Sequence, residues 1–167
     1  MTKMIDRIYL DMDGVISDFM SKYREVNGEW KLDQEGKKSD AWRNFCENGY
    51  FAQLNPWPGG RMLMNYLDYI RGDIPLEILT STGGPDYHNK VTADKRLWCH
   101  LQGITYKVNT VPGRWLKKER ATPTALLIDD TADVIDAWRA AGGVGILHVN
   151  LQDTVTQLNA LFPQQTA

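Results

Sequence analysis

The sequence has few features of a secreted or membrane-bound protein. Only two cysteines, Cys46 and Cys99, occur in 167 residues, without a C-x-x-C spacing, so neither a disulfide framework nor a zinc site is indicated. No apolar run approaches the roughly 18 residues of a membrane span, and the start of the chain lacks the apolar core of a signal peptide. These absences predict a cytoplasmic protein without a membrane partner.

A strong charge of either sign is also absent. The formal net charge is −2, from 19 basic and 21 acidic residues, which argues against a nucleic-acid polymer as the main partner. The 43% of hydrophobic and 24% of charged residues are typical of a globular protein. A chain of this length can form one domain with its own core and a small insertion.

The most informative motif lies near the start of the chain. A short apolar run at residues 8–10 ends in Asp11-Met12-Asp13, and Gly14 follows. Residues i and i+2 of a strand face the same side, so the two carboxylates can converge where the strand ends, while the glycine lets the backbone turn. Carboxylates that close repel each other unless a cation or a proton separates them. Mg²⁺ with one shared proton would suit phosphoryl transfer through an aspartate; an acidic turn after a strand is the simpler alternative.

The later part of the chain alternates strand-like and helix-like segments, which indicates an α/β domain with a mostly parallel sheet. Strands are predicted at 76–80, 106–109, 125–128 and 145–149. Apolar residues at helical spacing predict four helices, marked by Leu63, Leu67 and Ile70, by Leu97, Trp98 and Leu101, by Val134, Ile135 and Trp138, and by Val155, Leu158 and Leu161. Thr92 is the predicted N-cap of the second helix and Asp153 that of the fourth.

Residues 19–58 interrupt this alternation, and we interpret them as an inserted cap. The segment follows the first strand, is too long and too polar in its middle for one crossover helix, and is rich in aromatic residues. A small core within the cap is the simplest explanation of these rings. They can also line a pocket for a flat ligand, since nucleic-acid bases stack on aromatic faces.

Polar side chains stand at the ends of two further predicted strands. Thr80 and Ser81 end one strand, and Asp129 with Asp130 follow another. Because ligands of open α/β sheets bind beyond the carboxyl ends of the strands, we expect these groups and the Asp-x-Asp pair at one edge of the sheet. Each pair alone can be a turn cap or a polar strand end. Together they indicate a magnesium site beside a phosphate.

A phosphate in such a site also needs a fixed cation. Lys95 is the predicted one, because a helix capped at Thr92 would place it in the first turn, where the helix amino end also favours an anion. Lys90, Lys107 and Lys117 are the alternatives.

These motifs resemble those of the haloacid dehalogenase (HAD) superfamily, which match Asp11-Met12-Asp13-Gly14-Val15, Thr80-Ser81, Lys95 and Asp129-Asp130 in order and in strand-end context. The likeness is closest to the 5'(3')-deoxyribonucleotidases. It is carried further by Asp18-Phe19, Tyr50-Phe51, Leu54-Asn55-Pro56-Trp57-Pro58-Gly59, Asp94-Lys95 with Trp98, and Leu126-Leu127-Ile128. Thr131 stands where those enzymes carry arginine. The resemblance implies an α/β fold, a HAD-like Rossmannoid three-layer sandwich with a central parallel sheet, a core of residues 1–18 and 59–167, and a small, mainly helical cap of residues 19–58 after strand 1.

The same resemblance implies a magnesium-dependent phosphomonoesterase that forms an aspartyl phosphate and dephosphorylates (deoxy)nucleoside monophosphates. Asp11 would be the nucleophile and Asp13 the general acid and base. The implied metal ligands are Asp11, Asp13 through its main-chain carbonyl, and the pair Asp129 and Asp130. The implied phosphate ligands are Thr80, Ser81 and Lys95, and the implied base pocket consists of Phe19, Trp42, Tyr50 and Phe51. Related nucleotidases are often dimers, which leaves a homodimer open.

Two alternatives remain at this stage. The same chemistry can serve another small phosphomonoester or a phosphorylated nucleic-acid end, and the basic segment 114–120 could contact a longer anion, although a solvated surface segment explains it more simply. A noncatalytic phosphoacceptor module is an alternative of another class. Asp13 argues against it, because a signalling acyl phosphate must persist and a neighbouring general base would promote its hydrolysis.

Overall fold

A computed structural model describes residues 4–30 and 39–162 of the chain. In chain order its strands are β1 (Arg7–Leu10), β2 (Ser17–Asp18), β3 (Asn55–Pro56), β4 (Leu76–Ser81), β5 (Val108–Val111), β6 (Ala125–Asp129) and β7 (Val144–Leu147). Its helices are α1 (Phe19–Asn27), α2 (Asp40–Glu47), α3 (Gly60–Ile70), α4 (His88–Leu101), α5 (Ala132–Ala140) and α6 (Leu151–Leu161), and the segments Tyr50–Gln53 and Arg114–Arg120 form 3₁₀ helices. Residues 31–38 of the predicted cap, and residues 1–3 and 163–167 of the predicted core, lie outside the described residues.

Five parallel strands form the central sheet in the order β5-β4-β1-β6-β7. The first strand is the middle one, with Ile8 beside Leu76 of β4 and beside Leu126 of β6. From β1 the chain moves outward through β4 and β5, then returns to the other side of β1 through β6 and β7. The strand order therefore reverses between β1 and β6, and ligands of such sheets bind in the crevice at that point.

Helices cover both faces of the sheet. Alternate residues of β1 face opposite sides: Ile8 and Leu10 belong to the buried cluster that includes α3, α4 and α6, whereas Tyr9 belongs to the cluster around Trp138 of α5. This arrangement confirms the predicted α/β fold with a central parallel sheet between two helical layers. None of the helices within the described ranges is long and apolar enough to cross a membrane.

The chain between β2 and β3 forms α1, α2 and the 3₁₀ helix Tyr50–Gln53. The aromatic rings predicted for the cap pack against one another around Phe19, whose ring stacks on Phe51 at 5.6 Å between centroids and meets the edge of Phe45 at 5.3 Å. Phe45 and Phe51 are buried in the same cluster as Leu10 of the central strand. The rings therefore form an apolar core that is continuous with the core under the sheet.

The predicted start of α4 is wrong. The helix begins at His88, whose amide donates to the carbonyl of Pro85, so Thr92 lies in its interior and donates its hydroxyl to Thr110 instead of capping. Lys95 is consequently two turns from the helix start, without the predicted help of the helix amino end.

The predicted apolar stripe of the same helix is also wrong in part. Trp98 is buried, but Leu97 and Leu101 are 48% and 64% exposed. The buried face of α4 instead carries Thr92, Asp94 and Lys95 beside the apolar residues Val91, Trp98 and Cys99. Apolar spacing fails here because buried polar side chains with partners occupy the inward positions.

Smaller differences concern the ends of other elements. Asn150, and not Asp153, is the N-cap of α6, since its side chain accepts a hydrogen bond from the Asp153 amide at 2.8 Å. The strand predicted at 106–109 is β5, two residues later in the chain. The last strand ends at Leu147, and His148 follows it as a buried residue that hydrogen-bonds Thr154.

Trp138 offers a test of the fold. Its side chain is fully buried, packs edge-on against Tyr9 at 5.7 Å, and donates its indole N–H to the carbonyl of Val144 at 3.0 Å. We expect Trp138→Ala to lower the free energy of unfolding by about 3–5 kcal/mol, as for other large buried aromatic residues. The matched control is Trp115→Ala, where the side chain is 62% exposed, with an expected change within about 0.5 kcal/mol. Urea unfolding followed by circular dichroism measures both, and equal losses would contradict this packing.

Candidate active site

The end of β1 positions both aspartates of the Asp-x-Asp pair. The Asp11 amide donates to the carbonyl of Ile128 in β6 at 3.0 Å, which fixes Asp11 beside the neighbouring strand. The chain then makes a tight turn in which the Met12 carbonyl accepts from the amides of residues 15, 16 and 17. This turn redirects the chain directly after the strand and leaves both aspartates beside the crevice.

The backbone conformation of Gly14 in this turn strongly favours glycine. Its φ of +82° is in the left-handed region that side-chain-bearing residues rarely adopt. A Cβ at this position would lie 2.0 Å from Oδ2 of Asp130. The absence of a side chain therefore lets the Asp130 carboxylate approach the backbone that follows Asp13.

Three carboxylates meet at this edge. Asp11, Asp129 and Asp130 each place one oxygen within 4.8 Å of the others. Asp129 is fully buried and engaged at both oxygens, by the Lys117 ammonium at 2.7 Å and by the Thr131 amide at 2.9 Å. Asp130 is exposed, and its Oδ1 accepts a long 3.3 Å hydrogen bond from the Thr131 hydroxyl. Among the described residues, this is the group of side chains that could hold a metal ion.

Lys117 is the functional residue that the sequence analysis undervalued. It projects from the 3₁₀ helix Arg114–Arg120, is buried, and donates to Asp11 at 2.8 Å as well as to Asp129. Lys117 is predicted only as an alternative to Lys95, because a segment with so many charges is typical of a solvated surface. Its position beyond a predicted strand was the available signal, but helical periodicity cannot reveal a buried face in a 3₁₀ helix.

The site has too little positive charge for its carboxylates. Burial opposes the charge of the Lys117 ammonium, but Asp11 and Asp129 outweigh this effect and raise its pKa above the usual value. Burial, and next the charge of Asp129, raise the pKa of Asp11 well above its usual range. The same two causes raise the pKa of Asp130 to about 6. Three carboxylates against one ammonium leave a deficit of two positive charges, which a divalent cation would supply.

Lys95 forms a second ion pair. Its ammonium is fully buried and donates to Oδ2 of Asp13 at 2.7 Å, to the Thr80 hydroxyl at 2.7 Å and to the Ser81 carbonyl at 2.9 Å. The Ser17 hydroxyl donates to the other oxygen of Asp13 at 3.0 Å. The structure thus brings Lys95 together with the three other predicted residues Asp13, Thr80 and Ser81, but beneath the cavity wall and not on it.

A cavity of about 360 Å³ opens above these groups. It is lined by the polar residues Asp11, Asp13, Thr80, Ser81, Lys117 and Asp130, and by the aromatic residues Phe19, Trp30, Trp42, Phe51 and Trp57, which we call the aromatic wall. Of the four residues predicted for a base pocket, Phe19, Trp42 and Phe51 line the cavity. Tyr50 does not, and its ring packs on Phe45 at 5.5 Å. Trp30 and Trp57 also line the cavity. They belong to the aromatic residues of the predicted cap, which as a group are predicted either to form its core or to line a pocket, but not to the four residues of the predicted base pocket.

Comparison with known proteins adds information on the fold. No model of a protein family matches the chain, nor does any curated protein sequence. The L-2-haloacid dehalogenase from Xanthobacter autotrophicus is similar in structure, with a TM-score of 0.51 and 14% identity over 93% of this chain and 82% of the dehalogenase. A hydrolase from Streptococcus pneumoniae TIGR4 has a TM-score of 0.51 and 15% identity over 95% of this chain and all of its own. At these identities the likeness shows a shared fold, that of the two hydrolases.

The charge deficit predicts stabilisation by a divalent cation. At a concentration one hundred times its dissociation constant, Mg²⁺ would raise the free energy of unfolding by about 2.7 kcal/mol. For a chain of this size, that corresponds to a rise of roughly 5–10 °C in Tm. We expect Asp130→Asn to remove most of this increase. Asp136→Asn, which changes an exposed aspartate of α5, is the matched control. Thermal unfolding with Mg²⁺ or with chelator measures the effect, and equal Tm values in the two would contradict a metal site.

Proposed function

We propose that the protein is a magnesium-dependent phosphomonoesterase of the HAD superfamily, which acts through an aspartyl phosphate on (deoxy)nucleoside monophosphates. One observation carries the proposal: Asp11, at the end of the central strand, opens into a cavity, is held by Lys117, and shares a cation-deficient cluster with Asp129 and Asp130. The shared fold with two hydrolases supports it. The absence of a strong net charge supports a small-molecule phosphomonoester over a nucleic-acid polymer as the substrate. The proposed location is the cytoplasm.

The donor set fits Mg²⁺. Hard oxygen ligands suit this ion, and it normally binds through one or two carboxylates while it keeps several waters. Asp11 and Asp130 are the proposed direct ligands, with the main-chain carbonyl of Asp13. Asp129 would act indirectly, because both of its oxygens are already engaged, by Lys117 and by the Thr131 amide. Bound Mg²⁺ would neutralise the cluster and polarise a phosphoryl oxygen.

Asp11 is the proposed nucleophile. Its carboxylate attacks the phosphorus, the P–O bond to the leaving alcohol breaks, and an aspartyl phosphate forms. Lys117 holds one carboxylate oxygen at 2.8 Å. This hydrogen bond fixes the side chain for an in-line approach, so orientation does not have to be gained in the transition state.

Asp13 is the proposed general acid and base. It would enter the first step protonated and give this proton to the departing oxygen. As the resulting carboxylate, paired with Lys95, it would then take a proton from the water that attacks the phosphorus of the aspartyl phosphate. Ser17 and Lys95 each hold one of its oxygens. They keep the group in one place for both half-reactions. Thr80 and Ser81, on the cavity wall, are the proposed hydroxyl ligands of the phosphate, and Lys95 would support them from below.

The aromatic wall favours a nucleoside. Phe19, Trp42 and Phe51 form it together with Trp30 and Trp57, and bases stack on such faces. A cavity of about 360 Å³ is in the size range of small-molecule sites, roughly 300–1,000 Å³.

A substrate panel tests the proposed function. It contains 2'-deoxy and ribo nucleoside 5'- and 3'-monophosphates, sugar phosphates and a 3'-phosphorylated oligonucleotide, each with Mg²⁺ or with chelator. We expect Mg²⁺-dependent phosphate release from nucleotides, no turnover by Asp11→Asn, and a loss of about 10²–10⁴ in kcat for Asp13→Asn. Asp136→Asn serves again as control and should retain full activity.

Other results of the panel have distinct meanings. Turnover of sugar phosphates alone would retain the chemistry and reject the nucleoside. A persistent phosphoprotein without turnover would favour the phosphoacceptor module.

A further inference from the structure

Arg114 lies on the rim of the cavity and has no part in the chemistry described above. It and Lys117 are the basic side chains that line the cavity within the described ranges. Lys117 is already committed to two buried carboxylates. Arg114 is about half exposed and is paired only with Asp133 at 2.8 Å, which is itself 63% exposed.

The 3₁₀ geometry explains why both cations face one cavity. A 3₁₀ helix has three residues per turn, so side chains at i and i+3 are eclipsed. Arg114 and Lys117 have this spacing in the 3₁₀ helix Arg114–Arg120. Lys117 reaches the buried carboxylates, while Arg114, about 6 Å along the axis, lines the same cavity with a half-exposed side chain.

The charge balance of the site leaves Arg114 as the cation available for the phosphate of a substrate. A divalent cation would balance the cluster of Asp11, Asp129, Asp130 and Lys117, and Lys95 balances Asp13. A phosphate monoester then brings up to two further negative charges into the cavity. Arg114 is the remaining cation on the described wall, and its planar guanidinium can donate two parallel hydrogen bonds to a phosphoryl group.

The present partner of Arg114 is easily displaced. Exposed ion pairs contribute little to stability because water screens them. A phosphate dianion offers more charge and more acceptor oxygens than the single Asp133 carboxylate, which is 63% exposed. Exchange of the carboxylate for the phosphate is therefore favourable, and Asp133 acts as a competitor for the guanidinium when no phosphate is bound.

We propose that Arg114 is a specificity-determining residue that leaves Asp133 to bind the phosphoryl oxygens of the incoming substrate, so that Asp133 sets how readily the site accepts a dianion. This inference rests on the proposed phosphomonoesterase function, but it concerns binding and can be tested without turnover.

The test is the affinity of the full-length protein for inorganic phosphate with saturating Mg²⁺, measured by titration calorimetry. We expect Arg114→Ala to weaken binding about 10- to 100-fold, as for lost hydrogen bonds to a charged group. Arg114→Lys should fall between this variant and the unmodified protein, because it keeps the charge but not the fork. Asp133→Asn should tighten binding by up to about fivefold, the most that an exposed ion pair can withhold. Arg120→Ala removes the same charge from the same helix without changing the cavity wall and should have no effect.

The double variant Arg114→Ala/Asp133→Asn separates this mechanism from a general charge effect. Asp133→Asn should have no effect once Arg114 is absent, because the competition no longer exists. Three results would each overturn the proposal: tighter binding by Asp133→Asn that persists without Arg114, unchanged phosphate binding by Arg114→Ala, or no phosphate binding by the unmodified protein.

Steady-state kinetics on any accepted monoester should show a higher KM for Arg114→Ala with a smaller change in kcat. If the protein hydrolyses a monoester but binds phosphate equally well without Arg114, this inference alone is rejected. If phosphate binding depends on Arg114 but no monoester is hydrolysed, the proposed catalysis alone is rejected.

Discussion

Lys117 donates hydrogen bonds to Asp11 and to Asp129, and this bridge joins the ends of the two strands between which the strand order reverses. A buried ammonium is unfavourable unless it is paired, and so are the two buried carboxylates. Each group is therefore tolerable only because the others are present. The third carboxylate, Asp130, has no such partner and approaches the others across Gly14. Burial raises the pKa of Asp11 and that of Asp130, and the neighbouring charge of Asp129 raises both further, since the bridge supplies only one positive charge for three carboxylates. This unbalanced charge is the physical basis of both the proposed metal site and the proposed phosphate site.

The strand-end residues of this site could be predicted because two simple rules apply to them. Apolar runs of four or five residues mark buried parallel strands, and polar residues directly after such runs must lie at the carboxyl edge of the sheet. Asp11, Asp13, Thr80 and Asp129 were found in this way, and the structure places all of them around one crevice. No knowledge of side-chain contacts was needed, since the sheet alone brings the ends of neighbouring strands together.

The cations followed no such rule. Lys95 is predicted from a helix start that does not exist, yet it reaches Asp13 because it lies on the buried face of α4. Lys117 was undervalued because the 3₁₀ helix has no apolar stripe in the sequence to mark its buried face. Both lysines are buried through contacts between residues far apart in the chain, at sequence separations of 82 for Lys95 and Asp13 and 106 for Lys117 and Asp11. A single sequence read locally does not contain these pairings.

Helix α4 links the aromatic wall to the proposed acid and base. Trp98 of α4 donates its indole N–H to the carbonyl of Leu54, next to the aromatic residues, and the Lys95 ammonium lies 5.0 Å from the centre of the Phe51 ring. The same ammonium donates a hydrogen bond to Asp13. The wall and the carboxyl group are thus fixed to one helix, and the wall is also part of the buried core beneath the sheet. A ligand that stacks on the wall while its phosphate reaches Asp11 must therefore span a distance set by this helix. Under the proposed function, the site would accept substrates in which the distance between the flat group and the phosphate matches the distance between the aromatic wall and Asp11. The packing of α4 would set this distance.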